Sequence, residues 1–147
     1  IRLNGWELAV LTEEQKRPDF VCWLRNPPRQ SWSLRIPYEM EGKIRELYPD
    51  FIIIRKDPEL GYLVDILEPH NPGFKDNLGK AKGLAEYAAN EPRIDRVQLI
   101  RVGKDAAGKD RFKRLNLANG SIRNKVLAAI NTDELDHIFD TDGVFED

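Results

Sequence analysis

The chain has little cysteine, no long apolar run and no signal-peptide pattern, and each absence excludes a class of protein. Its single cysteine, Cys22, rules out an internal disulfide and a cysteine-based zinc site. Cys22 lies in the apolar run Phe20–Leu24, where a buried small side chain is expected. No apolar stretch of about 18 residues is present, so no membrane-spanning helix is expected. With no secretion signal either, the sequence predicts a protein of the reducing cytoplasm.

A glycine-rich phosphate loop followed by Lys-Ser or Lys-Thr is also missing, so this chain is not expected to hydrolyse ATP itself. Its first residue is Ile1 rather than Met, which favours a piece of a longer protein. What is present is enough for one compact domain with a real core, because 41% of the 147 residues are hydrophobic.

The charges are unevenly distributed along the chain. Residues 131–147 contain seven acids and no Lys or Arg, whereas residues 1–130 contain 23 basic and 18 acidic groups. The sequence therefore predicts a domain over 1–130 and an acidic C-terminal tail over 131–147, with His137 exposed in that tail. Residues 71–130 are the most basic part, with 13 basic and 6 acidic groups. This basic half favours a nucleic-acid surface and ordinary solvated surface about equally.

Strand patterns dominate the first half of the chain, and a helix then leads to further strands. Apolar runs and turn signals predict strands over 20–24, 33–40, 44–54, 62–68, 94–102 and 111–117. Helices are predicted over 6–11 with a further turn at 12–15, over 77–89 with Asp76 as its cap, and over 121–130. The fold class is therefore α/β, with a mixed central β-sheet flanked by helices.

Two of these strands carry a carboxylate at one end. Asp50 enters the strand that contains Phe51–Ile54, Glu68 leaves the strand that follows, and the turn signal 57–61 lies between them. A hairpin places both carboxylates at the same end of the sheet, where they form a site for a hard cation such as Mg²⁺. Glu68 shares its strand face with His70, whereas Asp65 lies on the other face and is expected to be structural. The alternative for Asp50 is an acid that caps a turn at a strand start.

This arrangement resembles the PD-(D/E)XK nuclease superfamily, in particular the C-terminal endonuclease domains of type III restriction subunits and related helicase–nuclease proteins of phage defence. Pro49-Asp50 matches the PD of that family, and Glu68-Pro69-His70 occupies the place of its (D/E)-X-K. The resemblance covers about Trp6 to Leu117 and implies a restriction-endonuclease-like fold. His70 departs from the pattern, because the family has lysine there.

The resemblance implies a role for each residue of the site. Asp50, Glu68 and the backbone carbonyl of Pro69 would hold Mg²⁺, for which Mn²⁺ would substitute, and Glu7 would assist as an additional acid. A solvated helix acid is the equally favoured alternative for Glu7. His70 would accept a proton, bind the metal or donate to the phosphate, or else it is a histidine satisfied by loop hydrogen bonds.

Two helix lysines are candidates for the cation that the family's missing lysine would supply. Lys80 and Lys82 flank the apolar stripe of their helix on opposite sides, so only one of them is expected to face the carboxylates. Lys80 is favoured, because Lys82 has Glu86 four residues on as a surface partner. Six further basic residues are candidates for phosphate contacts: Arg93, Arg96, Arg101, Arg111, Lys113 and Arg114.

Taken with the resemblance, the residues favour an Mg²⁺-dependent DNA endonuclease domain, a phosphodiester hydrolase, whose partners are DNA and a helicase or ATPase region of the same or another chain. Metal-dependent cleavage would require Asp50 and Glu68. The alternatives are a catalytically inactive module of the same fold that binds DNA or a partner protein, and a structural interaction domain suggested by the acidic tail.

Overall fold

The computed structural model describes residues 3–146. Ile1, the first residue, lies outside the described residues. So does Asp147, one of the seven acids of 131–147. In chain order the elements are α1 (Gly5–Gln15), β1 (Phe20–Arg25), β2 (Ile36–Met40), β3 (Lys43–Leu47), β4 (Phe51–Asp57), β5 (Gly61–Pro69), α2 (Asn77–Asn90), β6 (Ile94–Lys104), β7 (Asp110–Asn116), α3 (Gly120–Ala128), α4 (Thr132–Asp142) and β8 (Val144–Phe145).

Six strands form the central sheet in the order β1-β4-β5-β6-β7-β8. β4 and β5 pair as an antiparallel hairpin with Phe51 opposite Leu67, and β5 pairs in parallel with β6. The parallel pair needs a crossover connection, which α2 supplies. The other pairs in the sheet are antiparallel. The expected α/β fold with a mixed sheet flanked by helices is therefore confirmed.

Two apolar clusters fill the two faces of this sheet. On one face α1 contributes Val10 and Leu11 against Phe51 and Leu67. On the other face α2, α3 and α4 pack on β6 and β7, together with the separate β2–β3 hairpin. Each face thus has its own helical layer, and the ends of β4 and β5 open between the first turns of α1 and α2.

The prediction of one strand over 44–54 is wrong, because the strand is interrupted at Tyr48–Asp50. The segment before the interruption forms β3 and the segment after it forms β4, and the two strands belong to different sheets. β3 pairs with β2 in a two-stranded ribbon, which packs against α2. The packing is close, since a Cβ at Gly79 would lie 2.6 Å from the Glu39 carbonyl oxygen and one at Gly83 would lie 2.7 Å from that of Pro37. The glycines that weaken α2 as an isolated helix allow this contact.

The acidic segment 131–147, expected as a tail, is folded onto the domain over its described part. α4 buries Leu135, Ile138 and Phe139 in the larger apolar cluster, and β8 adds to the sheet beside β7. The acids of α4 point away from this apolar stripe, which is why composition alone suggested a tail. Cys22, expected to be buried, is exposed on the edge strand β1. None of the helices in the described part of the chain is long and apolar enough to cross a membrane.

Candidate metal and nucleic-acid site

Asp50 and Glu68 meet at one end of the β4–β5 hairpin, as the hairpin register predicts. The backbone N–H of Asp50 donates to Glu68 Oε2 at 2.9 Å. Glu68 is buried and Asp50 is half-buried. The end of β1 is adjacent, because Asn26, the residue that follows it, donates its backbone N–H to the Asp50 carbonyl at 3.1 Å. Three neighbouring strands therefore fix the position of the pair.

Both carboxyl groups hold their protons more tightly than usual. Burial raises the pKa of Asp50 to about 6, and the negative charge of Glu7 adds to this effect, against the opposing charges of Arg25 and Lys80. Burial, and then the charge of Asp50, raises the pKa of Glu68 well above its ordinary value. Two buried acids that repel each other form an environment in which an added cation is favourable.

Glu7 lies beside this pair, but its two oxygens are already engaged. Oε2 accepts from the backbone N–H of Asn4 at 2.9 Å, which completes a capping box at the start of α1. Oε1 pairs with Arg25 Nη1 at 3.1 Å, and Arg25 Nη2 lies 3.5 Å from Asp50 Oδ1. The structure thus brings Glu7 to the site in a capping and ion-pairing role.

Arg25 is the residue of this site that sequence reasoning missed. It ends β1, directly before Asn26-Pro27-Pro28, and it pairs in the sheet with Phe51. The order of the strands brings it to Asp50, since β1 lies beside β4 although β2 and β3 intervene in the chain. A basic residue at the end of an apolar run was the available signal, and it had no predicted partner.

Of the two helix lysines, the structure places Lys80 at the site and Lys82 away from it. The charge of Lys80 lowers the pKa of both Asp50 and Glu68, and its Nζ pairs with Asp76 Oδ2 at 3.2 Å. Lys82 lines a groove between α2 and the β2–β3 ribbon, together with Glu39 and Glu86. This is the separation that the helical geometry predicted.

His70 is half-buried and lines the same cavity as Glu68. Its backbone N–H donates to the Ile100 carbonyl at 2.8 Å, and its ring packs against Phe139 with centroids 5.5 Å apart. Burial, and then the positive charges of Arg101 and Lys80, lowers the pKa of His70 to about 3. Neither ring nitrogen has a hydrogen-bond partner within residues 3–146, so loop hydrogen bonds do not satisfy the imidazole there.

A cavity of about 410 Å³ opens in front of these groups. It lies between the first turns of α1 and α2, and Glu7, Glu68, Pro69, His70 and Lys80 line it. This volume falls within the range of about 300–1,000 Å³ that is usual for small-molecule sites. Glu7, Glu68, the neutral histidine and one lysine thus share a solvent-accessible space, and Asp50 adjoins it through its contact with Glu68.

The oxygen donors at this end of the hairpin are those that a hard divalent cation prefers. Within the described residues, no group of three or more His, Cys, Asp and Glu side chains is close enough to hold a metal ion. Mg²⁺, however, is usually bound by one or two carboxylates and keeps several waters. Asp50 and Glu68, whose pKa values are raised partly by their neighbouring negative charges, fit that pattern with the carbonyl of Pro69 beside them.

Two of the six basic residues expected to contact phosphates are instead buried on the α1 face. Arg96 Nη2 pairs with Glu14 Oε2 at 2.7 Å and with Asp65 Oδ2 at 2.8 Å. Arg114 Nη1 pairs with Glu14 Oε1 at 2.6 Å, and 1% of its side chain is exposed. Because these guanidinium groups neutralise interior acids, they are not available to a phosphate backbone. Asp65 is structural, as expected.

The other four basic residues are divided between interior and surface. Arg101 is buried, pairs with Asp136 Oδ1 at 2.8 Å and stacks 3.6 Å from the centre of the Phe139 ring. Arg111 and Lys113 lie over Phe145 of β8. Arg93 is exposed in the turn before β6. These six residues therefore do not form one continuous basic surface.

Comparison with known proteins identifies a family. The model of the YagJ family matches residues 1–145 of the chain. Protein YagJ of Escherichia coli (strain K12) is 32% identical over 135 residues, which cover 90% of this chain and 53% of the relative. The chain thus spans about half the length of the curated relative that it matches. No solved structure matches the chain significantly.

Proposed function

The chain belongs to the YagJ family, and we propose that it is an Mg²⁺-dependent DNA endonuclease domain of the PD-(D/E)XK type, with a restriction-endonuclease-like fold. The proposal rests on one observation, the meeting of Asp50 and Glu68 at one end of a hairpin with both pKa values raised. Buried acids that repel each other lower the stability of a protein. Groups with such perturbed pKa values are concentrated at functional sites. The parallel β5–β6 pair with its crossover helix carries Lys80 to the same place and supports the proposal.

Each side chain has a role that follows from its surroundings. Asp50 and Glu68 would hold Mg²⁺ with the Pro69 carbonyl. The ion would lower the pKa of a bound water molecule and so make hydroxide available at neutral pH. Lys80 places a positive charge in the cavity, where it would stabilise the charge that develops on the phosphate. His70 is neutral at physiological pH, because its pKa is about 3. It therefore acts as a hydrogen-bonding group rather than as the cation that the family's lysine would supply.

We further propose that this domain works beside a helicase or ATPase region in a restriction or phage-defence protein. The motif Pro49-Asp50 with Glu68-Pro69-His70 supports this, since its resemblance is to nuclease domains of that setting. The chain itself has no phosphate loop, so the energy for DNA translocation would come from the other region. The proposed place of action is the cytoplasm.

A second candidate function is an inactive nuclease fold that binds DNA or a partner protein. Three observations favour it: Arg25 already pairs with both Glu7 and Asp50, His70 replaces the lysine, and the described residues hold no group of three metal-binding side chains. In this case Arg25 would supply permanently the positive charge that Mg²⁺ supplies in an active site.

Titration with Mn²⁺ by calorimetry distinguishes the two functions. We expect the native chain to bind Mn²⁺, and Asp50→Asn and Glu68→Gln each to abolish this binding. Asp57→Asn, at the opposite end of β4, is the control and should bind like the native chain. Affinity should fall as the pH is lowered through about 6, because Asp50 must lose its proton to bind metal. Equal binding by all four proteins would refute the metal site.

Cleavage of plasmid DNA with and without Mg²⁺ then tests the chemistry. The native chain and Asp57→Asn should cut, whereas Asp50→Asn, Glu68→Gln and Lys80→Met should not. If the native chain binds DNA without metal and never cuts it, the inactive-module function replaces the nuclease function. Circular dichroism of each variant checks that the fold is retained.

A further inference from the structure

The cavity has few cations at its walls. Among the described residues that line it, Lys80 is the one Lys or Arg. Proteins that hold duplex DNA neutralise several phosphates with Lys and Arg side chains. Of the basic residues predicted to contact phosphates, Arg96, Arg101 and Arg114 do not provide this surface, because they are buried and paired with acids. The residues that line the cavity therefore offer little positive charge to neutralise the phosphates of a duplex.

Two aromatic side chains line the same cavity instead. Trp6 belongs to the first turn of α1, directly before Glu7, and Phe74 lies in the loop that leads into α2. Their exposed fractions are 37% and 57%, which are large for side chains of this size. They belong to the two segments that flank the carboxylate pair, one on each helix approach. An apolar ring exposed beside a charged site suits a ligand that has both a flat apolar part and a charged part.

An unpaired nucleotide has this combination of parts. Bases that are not stacked in a helix pack on aromatic side chains, and each such contact contributes about 1–3 kcal/mol. In a duplex the bases already stack on each other, so Trp6 and Phe74 would find no free face. We propose that the cavity binds single-stranded DNA, with Trp6 and Phe74 stacking on bases next to the phosphate held at Glu68 and Lys80.

This inference rests on the proposed function and specifies its substrate. Phosphate binding comes from Lys80 and from a cation at the carboxylates, and neither selects single strands. Selection comes from the aromatic pair, because a stacking contact requires an exposed base. Trp6 and Phe74 are therefore assigned as specificity-determining residues, and they take no part in bond cleavage.

Fluorescence anisotropy with a short labelled oligonucleotide tests the proposal. Binding is measured with Ca²⁺ in place of Mg²⁺, so that the carboxylates keep a cation without the metal required for cutting, and gel electrophoresis checks that the strand stays intact. The ligands are the single strand and the same strand annealed to its complement. We expect the native chain to prefer the single strand. Trp6→Ala and Phe74→Ala should each weaken single-strand binding about 5- to 150-fold, the fold-change that corresponds to the loss of one stacking contact. Duplex binding should change little.

Trp32→Ala is the matched control, since Trp32 is also exposed, at 69%, and does not line the cavity. It should bind both ligands like the native chain, and Trp6→Phe should retain most of the affinity because it retains a ring. All sites are partly exposed, so the variants are expected to fold, and thermal melting checks this. Equal binding of single strand and duplex, or equal effects of Trp6→Ala and Trp32→Ala, would overturn the proposal.

The outcomes separate this inference from the function it rests on. If the chain cuts DNA with Mg²⁺ but Trp6→Ala and Phe74→Ala bind and cut normally, the single-strand subsite is refuted and the nuclease function stands. If the chain binds single strands through Trp6 and Phe74 but never cuts, the subsite stands and the nuclease function is refuted.

Discussion

Strand β5 carries two buried carboxylates, three residues apart, that behave in opposite ways. Asp65 faces α1 and is fully buried, and its pKa is lowered. Glu68 lies near the strand end and is also buried, and its pKa is raised well above normal. Burial is the largest single influence on both, and in both it raises the pKa. The difference therefore comes from the partners that the fold supplies.

Asp65 accepts hydrogen bonds from the guanidinium groups of two arginines. Arg55 donates to it from Nε at 2.5 Å and from Nη2 at 2.9 Å, and Arg96 donates at 2.8 Å. These bonds and charges outweigh the cost of burial. Glu68 receives a backbone N–H from Asp50 at 2.9 Å but also feels that residue's negative charge, and Lys80 and Arg25 compensate only partly. The chain thus satisfies one carboxylate completely and leaves the other dependent on an added proton or cation.

The largest test of this comparison is removal of the satisfied carboxylate. Asp65→Ala leaves Arg55 without its main acid and Arg96 without one of its two closest acids, and we expect a loss of about 3–5 kcal/mol in the free energy of unfolding at neutral pH. The lowered pKa of Asp65 means that its contribution is lost as the pH falls, so the native chain and the variant should converge in acid. Urea denaturation measures both effects.

Asp19→Ala is the control for this prediction. Asp19 pairs with the same Arg55 at 3.1 Å but is 39% exposed, so about 0–1 kcal/mol is expected. Similar losses in the two variants would show that burial does not decide the strength of these pairs.

An effect of opposite sign is expected at the unsatisfied pair. Because the folded-state pKa of Asp50 is raised to about 6, the native state holds a proton that the unfolded chain releases, and stability falls as the pH rises from about 4 to about 6. Asp50→Asn removes this charge and should raise the free energy of unfolding by about 1–2 kcal/mol at about pH 8, with little change at about pH 4. Denaturation in EDTA at the two pH values measures it. A loss of stability at the higher pH would contradict the picture of an uncompensated pair.

The smallest expected effect concerns the lysine that compensates the pair in part. Lys80→Met should lower stability by about 0.5–1 kcal/mol at alkaline pH, since its ammonium is only partly buried and also pairs with Asp76. It should also raise the pKa of Asp50 further, which carboxyl NMR titration would show. Lys82→Met, on the same helix but outside the cavity, should have no effect on that pKa. An unchanged Asp50 titration in Lys80→Met would remove Lys80 from the site.

The sequence predicted the carboxylate pair because its geometry is local. One turn joins the strands of Asp50 and Glu68, and strand alternation then decides which side chains share a face. The orientation of Lys80 was predictable for the same reason, from the angular spacing within one helix. The restriction-endonuclease-like character of the fold, the metal and the reaction stay predictions.

The arginine contacts were not predictable, because they join distant parts of the chain. Arg96 and Arg114 meet Glu14 across 82 and 100 residues of sequence. Periodicity marked neither residue as interior, and net charge suggested a surface role. The separation of the β2–β3 ribbon from the central sheet was missed for a different reason. The apolar residues Ile44 and Phe51–Ile54 fit one strand, although Ile44 is exposed and the strand is interrupted between them.

The two glycines of α2 affect the orientation of Lys80 in the cavity, although neither of them lines it. Gly79 and Gly83 are one turn apart and lie against the carbonyls of β2, so they fix how α2 is rolled about its own axis. A turn of the helix by one residue, about 100°, would swing Lys80 out of the cavity. No described residue of the ribbon lines the cavity, yet the ribbon determines which way the proposed site residue Lys80 faces. We therefore infer that the packing of α2 on the ribbon sets the orientation of Lys80 in the cavity. Substitutions at Gly79 or Gly83 should displace Lys80 from the carboxylates although they lie outside the site.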